Sequence, residues 1–423
     1  MKDIIKEAIE TRRRIHKRPE EGWTEFETTY LVWEKLRHLG FDVKVGLDII
    51  EPTAVMGRNL DLVNKAIERA KQNGVPESFI EATSGFTGAV GTLDTGVAGP
   101  VTAMRFDMDC VLVDESKDSR HIPAACGFRS EFDGLMHSCG HDAHTALGLA
   151  VARWISENKN SLKGKFILIF QPAEEGTRGA APIAAKGIVD HVDYFFAGHV
   201  GMFCPGGVIG ICSAGFLATT KIDLHFTGIP SHAGAAPEKG KSALSAACAA
   251  AMMIQGIPRH SQGDTRISVG RLVAGEGRNV TPVHAFIQLE TRGASEEINR
   301  FLVDNVKSIA EGVAQAYGVD FQFQKAGEAT TLVTTEKAVH LLTECAEQTV
   351  GASNVKHFSE IGGSEDATIL FRRAMEHGAQ AAFFMWGCNH KGHHKADFDM
   401  QDTENLPISI AFCTNVLKKT NSL

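Results

Sequence analysis

Hydrophobic positions along the first half of the chain follow two different periods. Apolar residues spaced at about 3.6 predict a helix at the start and a second over 24–36, and residues 144–157 have the same spacing. Residues 101–106 and 165–170 are nearly continuous apolar runs, which is typical of strands buried on both faces of a sheet, and 192–197 is another such run. Strands alternating with helices indicate an α/β domain with a largely parallel sheet.

The pattern changes near residue 216. The next elements are predicted as a strand, a helix, two strands, a helix and a strand, over 219–227, 242–254, 266–273, 284–290, 295–317 and 320–325. That order is the ferredoxin-like one. From about 334 the alternation of helix and strand resumes. We therefore predict a discontinuous α/β domain over 1–215 and 332–423, with a smaller α+β domain inserted at 216–331.

Two shorter segments give more specific predictions. Residues 59–82 read as one polar helical insertion, and the Ala-rich segment 243–257, the longest apolar stretch, suits a buried helix better than a membrane span.

Composition and charge exclude several classes of function. The net charge is −8, which argues against nucleic acid or an anionic membrane as the main partner. The start of the chain has no apolar run of signal-peptide length, and the nine cysteines show no framework spacing. We expect a cytoplasmic protein with free thiols, most of them in the core.

Metal-ligand residue types are concentrated in four short clusters. These are Met136–His144, with Cys139 and His141; Gln171–Gly176, with Glu174 and Glu175; Gly198–His199; and Asn389–His394. Thiolate, imidazole and carboxylate are ligands of a borderline-soft divalent ion. None of the clusters suffices alone, but together they predict a metal site at the edge of the sheet where parallel strands end.

Two adjacent carboxylates need separate roles. One of Glu174 and Glu175 can bind metal while the other takes a proton from the attacking water, since a metal lowers the pKa of water bound to it to about 7. The same carboxyl group can then protonate the leaving amine.

These motifs resemble the dimetal aminoacylase and carboxypeptidase family, in its branch of amino-acid-conjugate hydrolases. The resemblance also includes Gly85–Gly88, Glu174–Ala180, Gly277–Val280, Glu290–Ser295 and Gly363–Ala367, and so extends over nearly the whole chain. It implies a dimetal peptidase-like catalytic domain with an inserted lid or dimerisation domain, and two divalent ions, Mn²⁺ or Zn²⁺. It also implies a homodimer or a heterodimer with a related B subunit.

The resemblance assigns roles to individual residues. The implied metal ligands are Cys139, which bridges the two ions, with His141, Glu175, His199 and His394; His390 and His393 compete with His394. Glu174 would be the general base and acid, and Asp109 would orient a ligand histidine. In the inserted domain, His232 would polarise the scissile carbonyl, Asn279 and Arg292 would hold a substrate carboxylate, and Ser364 would line the pocket. Ala396 departs from the pattern, which often has Pro there.

The implied activity is hydrolysis of the amide bond of an N-acyl amino acid, with p-aminobenzoyl-glutamate favoured. Other N-acyl amino acids or an indole-acetyl conjugate are alternatives. A non-catalytic partner subunit is a weaker one, because Glu174 serves catalysis rather than folding. A nucleobase deaminase also uses Cys, His and Glu, but it needs a Cys-x-x-Cys pair that this sequence lacks.

Overall fold

The computed structural model describes all residues, 1–423, and contains twelve strands and twelve α-helices. The strands are β1 Asp42–Val45, β2 Ala89–Asp94, β3 Val101–Asp107, β4 Lys165–Gln171, β5 Tyr194–Val200, β6 Ile209–Cys212, β7 Ala218–Thr227, β8 Thr265–Ala274, β9 His284–Gly293, β10 Asp320–Ala329, β11 Val355–Phe358 and β12 Gln380–Trp386. The helices are α1 Lys2–Lys17, α2 Phe26–His38, α3 Leu60–Gln72, α4 Glu77–Thr83, α5 Ile122–Ala125, α6 His141–Asn158, α7 Ala180–Ala185, α8 Ala243–Gln255, α9 Glu296–Tyr317, α10 Glu336–Val350, α11 Ala367–Glu376 and α12 Asp402–Asn421.

The chain forms two compact units. The larger unit comprises residues 1–215, 332–361 and 366–423, and the smaller unit comprises 216–331 and 362–365. Both contain α-helices and β-strands, and each is built around its own sheet. The molecule is therefore a mixed α/β protein with two sheets.

The larger unit has an eight-stranded sheet in the order β1-β2-β4-β3-β5-β12-β6-β11. The pairs β4–β3, β3–β5 and β5–β12 are parallel, and these strands are almost entirely buried because helices cover the sheet. Their carboxyl ends, at Asp107, Gln171, Val200 and Trp386, therefore meet at one edge. Each of these ends leads into a loop with candidate site residues.

Helix α6 runs beside this edge. Gly140, whose φ is +91°, turns the chain so that the helix begins at His141. The helix is buried along most of its length, which fixes the position of its first turn.

The smaller unit has an antiparallel sheet in the order β10-β7-β9-β8, with α8 and α9 contributing to one hydrophobic core. Ser242 and Ser295 cap the two helices by accepting bonds from Ser245 N and Ile298 N. The alternating burial of β7 and β9 directs one face of the sheet into this core.

Two predictions from the sequence need correction. The insertion over 59–82 forms two helices rather than one, because Gly74 and Pro76 interrupt the spacing between α3 and α4. Helix α8 is not fully buried, since Met252 is 76% exposed. Seven of the nine cysteines are buried, as predicted for most of them, and only Cys126 and Cys248 are exposed. No helix combines the length and the apolar character needed to cross a membrane.

Candidate active site

The ligand atoms of the predicted metal site form two groups in the larger unit. Cys139, His141 and His199 each place one ligand atom within 4.8 Å of the others, and Cys139, Glu175 and His394 do the same. Cys139 belongs to both groups, with its Sγ 3.4 Å from Nε2 of His199. This arrangement suits two ions that share a thiolate between them.

Hydrogen bonds orient the two buried histidines of the first group. Nδ1 of His199 donates to the carbonyl of Val200 at 2.8 Å, which leaves Nε2 as the lone-pair nitrogen directed towards Cys139. Nδ1 of His141 lies 3.3 Å from Oδ1 of Asp109, while its Nε2 is buried with no hydrogen-bond partner. A buried nitrogen without a partner is costly unless something binds it, so the donor set fits a metal ion.

Burial shifts the Cys139 thiol and the His199 imidazole towards their neutral forms. Burial raises the pKa of the Cys139 thiol well above its ordinary value, and the nearby Glu175 raises it further. Burial also lowers the pKa of His199 well below the ordinary value, which favours the neutral imidazole that binds metals. A divalent ion would reverse the first effect, because a coordinating thiol is deprotonated outright.

Asp109 connects the histidine with the carboxylate loop. Its Oδ1 accepts from the backbone N–H of Glu174 at 3.0 Å, and its Oδ2 accepts from Glu175 N at 2.9 Å. One buried carboxylate thus contacts His141 and fixes the backbone of both glutamates. This geometry is consistent with the predicted orienting role of Asp109.

The loop that carries the two glutamates has an unusual backbone. Ala173, Gly176 and Thr177 have φ values of +53°, +85° and +58°. The buried carboxyl of Glu25 accepts from Ala173 N at 2.8 Å, and Arg178 Nε donates to the carbonyl of Glu175 at 2.9 Å. These bonds stabilise a conformation that non-glycine residues rarely adopt.

The structure distinguishes the three C-terminal histidines. Nε2 of His394 lies 3.2 Å from Oε1 of Glu175. Nε2 of His393 lies 3.1 Å from the carbonyl of Val200, and Nδ1 of His390 accepts from Gly392 N at 2.9 Å. Of the three, only His394 belongs to a group of ligand atoms around Cys139.

The remaining candidates lie in the smaller unit. Nδ1 of His232 accepts from Gly234 N and Ala235 N, so its proton is on the exposed Nε2. Asn279 is on the adjacent segment, and its carbonyl accepts from Ala233 N at 3.2 Å. Arg292 is paired with Glu290 at 3.0 Å. The hydroxyl of Ser364 donates to the carbonyl of Leu217 at 2.9 Å.

A comparison with family models gives the decisive match. The model described as peptidase family M20/M25/M40 matches residues 103–419, which include every ligand candidate. The chain belongs to this family. An M20 peptidase is a metal-dependent enzyme, so the chain is a metal-dependent amidohydrolase, as the sequence motifs predicted.

Curated relatives and a solved structure agree with this assignment. The M20 peptidase described here is 42% identical to a homolog of a p-aminobenzoyl-glutamate hydrolase subunit from Haemophilus influenzae, over 98% of both chains. It is 41% identical to indole-3-acetyl-aspartic acid hydrolase from Enterobacter agglomerans, over 95% of this chain and 93% of that protein. The crystal structure of an aminobenzoyl-glutamate utilization protein from Klebsiella pneumoniae superposes with a TM-score of 0.83 at 34% identity, over 99% and 96% of the chains. The predicted family is confirmed, and with it the resemblance to p-aminobenzoyl-glutamate hydrolase.

Sequence reasoning missed a buried polar network beneath the site of this M20 peptidase. Asp107 is paired with both His144 and Arg105, and the Nε2 of His144 accepts from Val200 N at 3.0 Å. Arg105 also donates to Asp366 at 3.0 Å, and Asp366 accepts from the backbone at the start of α7. The only available signal was the charged Arg105 within an otherwise apolar strand, since buried charges are rare unless paired.

Proposed function

We propose that this M20 peptidase hydrolyses the amide bond between an acyl group and an amino acid, with p-aminobenzoyl-glutamate as its preferred substrate. The observation that carries the proposal is the pair of ligand groups sharing Cys139, with Glu174 on the same loop as Glu175. The similarity to a homolog of a p-aminobenzoyl-glutamate hydrolase subunit, over nearly the full length, supports the choice of substrate.

The metal centre would use five residues of the larger unit. Cys139 would bind both ions, His141 and His199 would complete one set of ligands, and Glu175 and His394 would complete the other. Bound ions would polarise the amide carbonyl and lower the pKa of the attacking water. The mixture of S, N and O ligands suits Zn²⁺, and a carboxylate-containing dimetal site also accepts Mn²⁺.

Glu174 would move the proton. Its side chain is mostly buried, and one carboxylate oxygen lies 4.0 Å from Nε2 of His141, beside the ligand atoms. From this position Glu174 would accept a proton from the attacking water and pass it to the nitrogen of the leaving amino acid. Asp109 would hold the His141 ring and the Glu174 backbone in position during this transfer.

The smaller unit would be a ferredoxin-like lid and dimerisation domain that supplies substrate contacts. The tautomer of His232 provides an exposed N–H suited to stabilising an oxyanion. Arg292 and Asn279 would bind the amino-acid α-carboxylate, with the substrate displacing Glu290 from Arg292. Ser364 would line the pocket. In this division the catalytic domain comprises 1–215 and 332–423, and the lid comprises 216–331.

Pairing through the lid is supported by its exposed apolar surface. Helix α8 exposes Met252 and Met253, and Val273 is exposed on β8, an edge strand. An apolar helix beside an open strand edge is suited to a matching surface. We propose that the partner is a second copy of this chain or a related B subunit.

Indole-3-acetyl-aspartate is the second candidate substrate. A hydrolase of that compound is 41% identical to this chain over 95% of its length. Other N-acyl amino acids rank below these two.

The direct test is to incubate the purified chain with Mn²⁺ or Zn²⁺ and p-aminobenzoyl-glutamate, and to measure release of p-aminobenzoate. Indole-3-acetyl-aspartate is assayed in parallel by release of aspartate. Release of p-aminobenzoate at the higher kcat/KM supports the proposal. If only the indole conjugate is cleaved, indole-3-acetyl-aspartate replaces p-aminobenzoyl-glutamate as the proposed substrate. If neither compound is cleaved with either metal, also in the presence of a related B subunit, the proposal is contradicted.

A further inference from the structure

Arg58 is a partly buried cation that no acidic residue neutralises. Its guanidinium stacks over the ring of Phe86 at 4.4 Å, and Nη2 donates to the carbonyl of Gly85 at 2.6 Å. Nε is buried with no hydrogen-bond partner, and Nη1 makes no hydrogen bond with the protein. Burial alone lowers the pKa of Arg58 from its ordinary value, with no contribution from any charged neighbour.

The segment that carries Arg58 is attached to the catalytic loop. Arg178 donates from Nη1 to the carbonyl of Gly57 at 2.9 Å and from Nε to the carbonyl of Glu175 at 2.9 Å. One arginine side chain therefore spans from the residue before Arg58 to a proposed metal ligand. Trp23 Nε1 also donates to the carbonyl of Met56 at 2.9 Å, which fixes the segment from its other side.

Phe86, which lies under the guanidinium, belongs to a segment that contacts the same loop. Thr87, the residue after Phe86, donates to Glu25 at 2.6 Å, and Glu25 in turn accepts from Ala173 N. Gly88 lies so close to Pro172 that an added Cβ would be 2.7 Å from its ring. Both sides of the Arg58 site are thus connected to the strand end that leads into Glu174.

A fixed guanidinium with unused donors is suited to a carboxylate. Arg presents five N–H donors in a planar fork, and only one of them has a partner here. The stacking and the Gly85 bond restrict its rotamers before any ligand arrives, so little entropy is lost on binding. Partial burial strengthens the attraction for an anion.

We propose that Arg58 is a specificity-determining residue that binds the side-chain carboxylate of the amino acid released by the reaction. The enzyme would therefore select N-acyl conjugates of glutamate or aspartate over neutral ones. This inference rests on the proposed function, in which both candidate substrates carry a second carboxylate. It assigns that second carboxylate to the larger unit.

The test compares p-aminobenzoyl-glutamate with p-aminobenzoyl-glutamine, which has nearly the same size and lacks only the side-chain charge. We expect wild type to prefer the glutamate compound in kcat/KM by about 10- to 100-fold, the value of a hydrogen bond to a charged group. Arg58→Met should lower kcat/KM for the glutamate substrate much more than for the glutamine substrate, and so remove most of that preference. Arg58→Lys, which keeps the charge but loses the fork, should retain part of the preference.

Arg37→Met is the matched control. Arg37 also stacks on an aromatic ring, with its guanidinium 4.6 Å from the ring centre of Trp33, and pairs with no carboxylate, but it lies on α2. It should keep the wild-type preference. A preference that survives in Arg58→Met, or an equal loss for both substrates, overturns the inference. Equal hydrolysis of both compounds by wild type overturns it and leaves the proposed function standing, whereas hydrolysis of neither contradicts both.

Discussion

Glu115 is a buried carboxylate that joins two histidines within the larger unit. It accepts from Nε2 of His16 at 3.0 Å, from Nε2 of His121 at 2.8 Å and from Ser130 N at 2.5 Å. Burial opposes ionisation, but these bonds and the charge of His16 lower the pKa of Glu115 from 4.5 to about 2. The pKa of His16 is raised against its burial, chiefly by Asp142.

This pKa shift predicts an acid-sensitive contribution to stability. Since the folded-state pKa of about 2 lies below the ordinary 4.5, the contribution of Glu115 is complete above about pH 4.5 and is lost as pH falls towards 2. We expect Glu115→Gln to lower the free energy of unfolding by about 1.5–3 kcal/mol at pH 7. Urea unfolding with a chelator present should show that the difference in unfolding free energy between wild type and the variant decreases from pH 4.5 to pH 2. A difference that does not change with pH would contradict this role of Glu115.

At the residue scale, the sequence identified side chains that stand in motifs. Cys139, His141, Glu175, His199 and His394 could be selected because ligand types recur at short spacings after apolar strands. Asp107, His144 and Glu115 could not be given their roles, because each has a partner distant in sequence, His144 for Asp107 and His16 for Glu115, and pairing of that kind leaves no local pattern. The choice of His394 over His390 and His393 was made by resemblance, and the structure places it nearest to Glu175.

At the element scale, the start of α6 depends on Gly140. Its φ of +91° is in the left-handed region, and an added Cβ would be 2.4 Å from Cγ1 of Val200. Val200 directly follows His199, and Gly140 itself lies between Cys139 and His141. A side chain at this position would therefore push apart three of the proposed ligands.

Gly140→Ala should weaken metal binding beyond the cost of backbone strain. We expect affinity for Mn²⁺ or Zn²⁺ to fall by about 10- to 100-fold, as when groups that orient ligands are disturbed. The control is Gly40→Ala, where φ is +83° and no atom lies within 4 Å, so that only the strain of about 1–2 kcal/mol is added. Metal titration of both variants measures the difference, and equal affinities would show that the contact with Val200 is unimportant.

The long elements were predictable because each has a consistent period. Strands β3 and β4 and helix α9 were predicted to within a few residues, and the Ser295 cap stands where the helix begins. The short strands β6 and β11 were missed, since four residues carry too little pattern to distinguish a strand from a loop. The exposed face of α8 was missed because its Ala-rich sequence is apolar all round, and only the tertiary structure determines which side is covered.

At the scale of the whole molecule, the exposed surface of α8 predicts association. Met252 and Met253 are 76% and 53% exposed. If two copies pair through this surface, replacing both residues with Glu should convert the dimer to single chains, because charges would be buried at the interface. Val97→Glu, at an exposed apolar residue of the larger unit, is the control and should leave the mass unchanged.

Light scattering after size-exclusion chromatography measures these masses. A dimer that persists in the double variant would contradict pairing through α8. If wild type has the mass of a single chain, the homodimer is excluded, and the proposed partner is then the related B subunit. The predicted division into two domains rests on the break in pattern near residue 216, whereas the exposed apolar surface of α8 could be recognised only in the structure.

Glu174 is proposed to transfer protons beside a metal centre to which it is not a ligand. Glu174→Gln keeps the size of the side chain and removes its basicity. We expect the variant to bind as much metal as wild type, while release of p-aminobenzoate from p-aminobenzoyl-glutamate falls by about 10²- to 10⁴-fold. Wild-type turnover in this variant, or loss of metal together with activity, would contradict it.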